Sequence, residues 1–445
     1  VAKAIDLVLK GGTVATPGAL AVAGVAVDRG RIIALGDVSE YAPAETLDCR
    51  GLHVLPGVID SQVHFREPGL EHKEDLESGS RAAVLGGVTG VFEMPNTRPA
   101  TTTAELLADK VARAENRMFC DFAFYVGGTR DNAAAIPALE KLPGAAGIKV
   151  FAGSSTGDLL VDDDSGLETV IAKLSRRAAF HSEDEKRLRE RLLFQRAGDP
   201  ASHPVWRDEE AARLCTERLI RIARKHGRRI HMLHISTAEE LPLLAASRDV
   251  ATVEVTPHHL TLTASDYARL GNRLQMNPPV RETRHREALW QAVSSGLVDV
   301  LGSDHAPHTL EEKARPYPTS PSGMTGVQTL VPVMLDHVNA GRLSLARLVD
   351  LTAHGPQRIF GIAGKGRIAV GYDADFTIVD LKRRETISNG WIASRSNWTP
   401  YDGVTVTGWP VGTMIRGRLA MWQGEITTAA AGRPIRFLET LAEST

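Results

Sequence analysis

The chain has 445 residues, 43% of them apolar and 24% charged, with a formal net charge of −2. That length holds one large domain and a smaller one, and the near-neutral balance argues against nucleic acid or an anionic membrane as a partner. No apolar run approaches the ~20 residues that span a bilayer, and three widely spaced cysteines, Cys49, Cys120 and Cys215, point to a reducing cytoplasm rather than a disulfide framework.

The first stretch, VAKAIDLVLKGG, reads as a strand and turn rather than a signal peptide. Short strands broken by Gly turns continue to about residue 55, as in GVAVDRGRIIALG, and the same texture returns after residue 366 in GRIAVGYDADFTIVDL and GWPVGTMIRGRLAMWQGEI. The expectation is a composite β-sandwich domain built from 1–55 and 366–445. Two separate sheets are the alternative.

Between them, apolar strands alternate with helical patterns such as TTAELLADKVARAENR, EEAARLCTERLIRIARKHG and TAEELPLLAASR. Strands are expected to end near His64, Met94, Val126, Phe151, His181, His234, Thr256 and Asp304. Eight strands with intervening helices predict a mainly parallel sheet closed as a (β/α)₈ TIM-type barrel over 56–365. A doubly wound open sheet is the runner-up, but it lacks a Gly-rich phosphate turn after its first strand.

In such barrels the chemistry gathers at the C-terminal strand ends. His64, Asn96, Lys149, His181, His234 and Asp304 all fall there. A single histidine beside an apolar run is usually structural. Several at successive strand ends, with an aspartate, point together to a metal site, and neutral imidazole with carboxylate suits zinc, one or two ions per chain. Gln62 and His64 are two apart on one strand and so share a face. The ammonium of Lys149 cannot ligate a cation. It is either a barrel-interior lysine paired to a carboxylate or, with CO₂ added, a carbamate that bridges two metals. The polar, Pro-rich segment 308–323 reads either as a mobile lid over the strand-eight end or as an ordered surface loop.

Seven motifs carry a resemblance over essentially the whole chain: QVHFREPG (62–69), GGVTGVFEMPNT (86–97), GIKVF (147–151), FHSEDE (180–185), HMLHIST (231–237), NPPVR (277–281) and SDHAPH (303–308). With them the sequence resembles the dihydroorotases of the cyclic-amidohydrolase superfamily. The resemblance implies reversible hydrolysis of (S)-dihydroorotate to N-carbamoyl-L-aspartate in de novo pyrimidine synthesis. It implies metal ligation by His64, a carboxylated Lys149, His181, His234 and Asp304, with Asp304 also shuttling the proton. Arg66, Asn96 and His308 would bind the substrate carboxylate, and Asn277 a pyrimidine edge. Gln62 departs from the family's His-x-His pair, which leaves a glutamine carbonyl or a water as the ligand there. A cytoplasmic homo-oligomer, a dimer, is expected.

Two rivals remain open at this point. A hydantoinase or allantoinase shares the metal ligands but acts on substrates without the acidic side group. A non-catalytic scaffold supporting a carbamoyltransferase partner would account for Gln62, although it would be free to lose the other ligands.

Overall fold

The computed structural model describes residues 3–154 and 159–441, so residues 1–2 and 442–445 of the expected β-region lie outside it. Eight strands form one parallel sheet in chain order: β1 (Val58–Val63), β2 (Val88–Glu93), β3 (Asp121–Gly127), β4 (Ala145–Phe151), β5 (Ala178–His181), β6 (Ile230–Met232), β7 (Ala251–Val255) and β8 (Val300–Leu301). Every residue of these strands is buried. Strands covered on both faces read as near-continuous apolar runs, which is why they stood out in the sequence. The sheet closes on itself. A parallel bridge joins Val63 to His305, and the His64 amide donates to the His305 carbonyl at 2.7 Å. Closure rules out the open doubly wound sheet.

The outer layer forms where polar caps meet amphipathic runs. Asp208 accepts from the Ala211 amide to start the helix Glu209–His226, and Gly227, at φ +61°, ends it. Its Cys215, Leu219, Ile222 and Ala223 are buried and join the main apolar cluster with Phe180 and Met232 of β5 and β6. The other two patterned helices form over Ala104–Ala114 and Glu240–Ala245. Beneath the barrel, Phe360, Ile362, Ile435 and Phe437 pack with Ile59, Phe92 and Tyr125. The floor is therefore solid, and only the C-terminal end of the barrel is open to chemistry.

A four-stranded sheet uses N-terminal strands alone, in the order Arg31–Gly36, Gly24–Asp28, Lys3–Lys10, Tyr41–Asp48. A seven-stranded sheet mixes both ends: Phe376–Thr386 pairs with Thr405–Ile415 on one side and with His53–Pro56 on the other. Leu7, Val25 and Ile32 of the first sheet share a core with Val54, Phe376 and Met414 of the second. Past the last of these strands, the tail returns to the barrel. The Phe122 amide donates to Arg433 O at 3.0 Å, and the Ile435 amide donates to Phe122 O at 2.7 Å. Among the described residues no helix is long and apolar enough to cross a membrane.

The segment 308–323 is tied to its neighbours by hydrogen bonds. Thr309 caps a helical turn, Leu310–Lys313, and the side chains of Lys313 and Tyr317 are buried. Lys313 Nζ donates to Pro321 O at 2.7 Å, the Gly323 amide to Gln275 O at 2.8 Å, and the Gly198 amide to Tyr317 O at 2.7 Å. Its polar composition suggested a lid or an ordered loop. In the structure those polar groups bond back to neighbouring loops.

Candidate active site

A cavity at the C-terminal strand ends is lined by Gln62, His64, Arg66, Asn96, Lys149, His181, His234, Asn277 and Asp304, together with Phe151, Met276, Ala306, Ser322 and Gly323. Nine of the ten residues singled out in the sequence meet there. His308 does not line it.

The histidines fall into two arrangements. His181 Nε2 lies 3.0 Å from Glu183 Oε2, so it carries the proton and donates, and its Nδ1 faces His234 Nε2 at 3.1 Å. Burial holds both imidazoles below their ordinary pKa and therefore neutral. On the other side, His64 Nδ1 donates to Asn96 Oδ1 at 2.7 Å, and its Nε2 is 3.3 Å from Asp304 Oδ1. Zinc–nitrogen distances of 2.0–2.1 Å would place two tetrahedral ligands ~3.3 Å apart. Both pairs have about that spacing and the right donor chemistry. Among the described residues, however, no three His, Cys, Asp or Glu side chains converge on one point. Each pair needs a further donor, and the residue that interacts electrostatically with all four of these side chains is Lys149.

Lys149 and Asp304 are both buried. Desolvation pulls the amine down to about 7 and pushes the carboxyl up to about 7. The lysine Nζ also lies 4.5 Å from the centre of the Phe151 ring. Gln62 turns one end of its amide to Asp304. Its Nε2 donates to Asp304 Oδ1 at 3.0 Å, while its Oε1 is buried without a partner. The amide presents a donor to the carboxylate.

Arg66 is buried, and its Nε donates to Pro307 O at 3.2 Å. Burial lowers it to about 10. No carboxylate within the described residues forms an ion pair with its guanidinium. His308 sits against it. The His308 ring is fully buried, receives Lys73 Nζ at Nδ1 (3.1 Å) and donates from Nε2 to Ser322 O (2.9 Å). Its Nε2 also lies 3.3 Å from Arg66 Nη2, so the ring packs directly against the guanidinium that lines the cavity. His259, in the Pro257-His258-His259 run, donates to the carbonyls of Pro278 and Pro279 at 3.2 Å and so props the loop that bears Asn277.

Three site residues have left-handed backbones: Arg66 at φ +65°, His234 at +37° and Asp304 at +48°. Non-glycine residues adopt this region at a cost, and such strain collects at functional sites. Glu183 and Arg207 were missed in the sequence. Their buried ion pair, with Arg207 Nε donating to Glu183 Oε1 at 3.1 Å, fixes the carboxylate that orients His181. A glutamate two residues past a strand-end histidine, inside FHSEDE, was the available signal.

The closed parallel barrel, with its donor pairs and lysine at the strand ends, is the architecture of an amidohydrolase, and residues 209–420 match the amidohydrolase family. Residues 51–132 match the family described as dihydro-orotase-like. The dihydroorotase of Halobacterium salinarum is 38% identical over 390 residues, which is 86% of this chain and 89% of that protein. The dihydroorotase of Methanothermobacter thermautotrophicus is 34% identical over 409 residues, 90% of this chain and 91% of that protein. Among solved structures, the L-hydantoinase (dihydropyrimidinase) from Arthrobacter aurescens superposes with a TM-score of 0.92 at 29% identity, covering 96% of this chain and 99% of that one. The chain belongs to the dihydroorotase family of cyclic amidohydrolases.

Proposed function

We propose that the protein catalyses the reversible hydrolysis of dihydroorotate to N-carbamoyl-L-aspartate. Arg66 carries this reading. A buried guanidinium that lines a cavity, with no carboxylate among the described residues paired to it, calls for an anionic ligand. The substrate's carboxylate is such a ligand; hydantoins lack it.

The donor pairs His181/His234 and His64/Asp304 would hold zinc, with Lys149 as a carbamate supplying the donor each pair lacks. Zinc there supplies Lewis acidity, lowering the pKa of a water and polarising the ring carbonyl. Asp304 accepts the proton of the attacking water and returns it to the departing ring nitrogen, as general base and then general acid. Gln62 keeps Asp304 oriented through its donated hydrogen bond during both transfers. Arg66 grips the carboxylate at a fixed place relative to Asp304, so that the amide carbonyl faces the ligand pairs. In the synthetic direction the same groups act in reverse.

The test is turnover of dihydroorotate and of uncharged hydantoins by the same protein preparation. Metal-stripped protein is reconstituted with zinc alone or with zinc plus bicarbonate. Faster turnover of dihydroorotate and better recovery with bicarbonate are expected. Equal or faster hydantoin turnover would move the protein to the hydantoinase reading that its structural neighbour suggests. Recovery indifferent to bicarbonate would remove the carbamate.

A further inference from the structure

We propose that His203 is a positioning residue that fixes which end of the Asn277 amide faces the substrate. The inference rests on the cyclic-amide reading of the cavity. It goes beyond that reading in naming a residue that lies outside the cavity and acts through one inside it.

The hydrogen-bond directions can be assigned from donors that cannot accept and acceptors that cannot donate. The Trp206 indole Nε1 is a donor only, and it lies 2.7 Å from the Tyr317 hydroxyl. The Tyr317 oxygen therefore accepts there, and its own proton is directed to His203 Nδ1 at 3.2 Å. With Nδ1 accepting, the ring proton sits on Nε2. A second observation gives the same tautomer independently. His203 Nε2 is 2.9 Å from the Met276 backbone carbonyl, which can only accept. Burial and the nearby Arg207 hold this imidazole down to about 3, so it is neutral with one proton.

That proton is shared with the Asn277 side-chain oxygen, also 2.9 Å from Nε2. The oxygen of Asn277 is thereby turned toward His203. Asn277 lines the cavity, so the Nδ2 donors are the end left for a ligand. An amide without this tether could rotate and offer oxygen instead. The site would then repel a carbonyl where it should bind one. The chain Trp206 to Tyr317 to His203 to Asn277 makes the cavity wall a donor, matched to a carbonyl oxygen of a cyclic amide or ureide.

The relay also links three loops that are remote in sequence. His203 and Trp206 belong to the helical turn His203–Trp206, Tyr317 to the anchored segment after β8, and Asn277 to the loop after β7. The three loops meet on the cavity side of the barrel.

The experiment is a double-mutant cycle on zinc-reconstituted protein, using His203→Leu, Asn277→Ala and the pair. KM, kcat and metal content are measured on whichever cyclic amide the native protein hydrolyses faster. Each single change is expected to raise KM by about three- to tenfold, the worth of one neutral hydrogen bond, with metal content unchanged. The double variant should be no worse than Asn277→Ala, because His203 acts through that amide. His203→Gln, whose amide nitrogen can stand where Nε2 does, should restore KM to within about threefold of native. Multiplying effects in the double variant, or a glutamine that rescues nothing, would reduce His203 to a packing residue and overturn the proposal. A native preference for hydantoin would refute the dihydroorotate assignment and still leave the cycle readable.

Discussion

The two donor pairs at the barrel mouth are supported in unlike ways. His181 is oriented by a carboxylate, Glu183, that is itself locked by the buried guanidinium of Arg207. His64 and Asp304 are oriented by neutral amides, those of Asn96 and Gln62. Hydrogen bonds with an ionised partner are roughly twice as strong as neutral ones. The His181/His234 side is thus the stiffer frame. The His64/Asp304 side, where an amide replaces the family's imidazole, is the softer one, and it is also the side on which Arg66 offers its charge. On the proposed reading, metal retention and substrate recognition would be weighted toward opposite sides of one cavity.

The largest test of that asymmetry is Glu183→Ala. It strands the Arg207 charge in the interior and frees the His181 ring. Removing one partner of a buried pair costs about 3–5 kcal/mol, which urea unfolding should register together with loss of metal from the stiff side. A variant as stable as native, with full metal content, would break the distinction between the two frames. Next comes Arg66→Ala. It should lower kcat/KM for dihydroorotate by about 10- to 100-fold for each charged hydrogen bond lost, while both pairs keep their metal. Loss of metal in this variant would show that Arg66 serves the ligand frame rather than the substrate. The smallest expected effect is that of Gln62→His. An imidazole in place of the amide should raise the chelator concentration needed to strip the soft side by roughly tenfold and leave release from the stiff side alone. Identical release profiles for variant and native protein would mean that residue 62 acts only on Asp304.

Much of this could be read from the order of residues. Strands buried on both faces had to be largely apolar, so VFEM, AFYV and IKVF announced themselves, and the polar residues in and after such runs marked the open end of the barrel. His64, Lys149, His181, His234 and Asp304 were legible for that reason, as was Arg66 two residues beyond His64. Tertiary structure alone decided how those groups face one another. The amide of Gln62 donates to a carboxylate 242 positions away, and His203 sets the amide of Asn277 across 74 positions. His308, close to Asp304 in sequence, packs against Arg66 with its ring held by Lys73 and Ser322. The polar 308–323 segment read as a lid or an ordered loop, and its bonds to Gln275 and Gly198 were not legible in its composition. Local sequence carries the 2.0 and 3.6 periodicities that choose strand or helix. The direction of a side-chain hydrogen bond depends on which distant donor or acceptor the packed fold brings within 3 Å of it, and no local pattern encodes that.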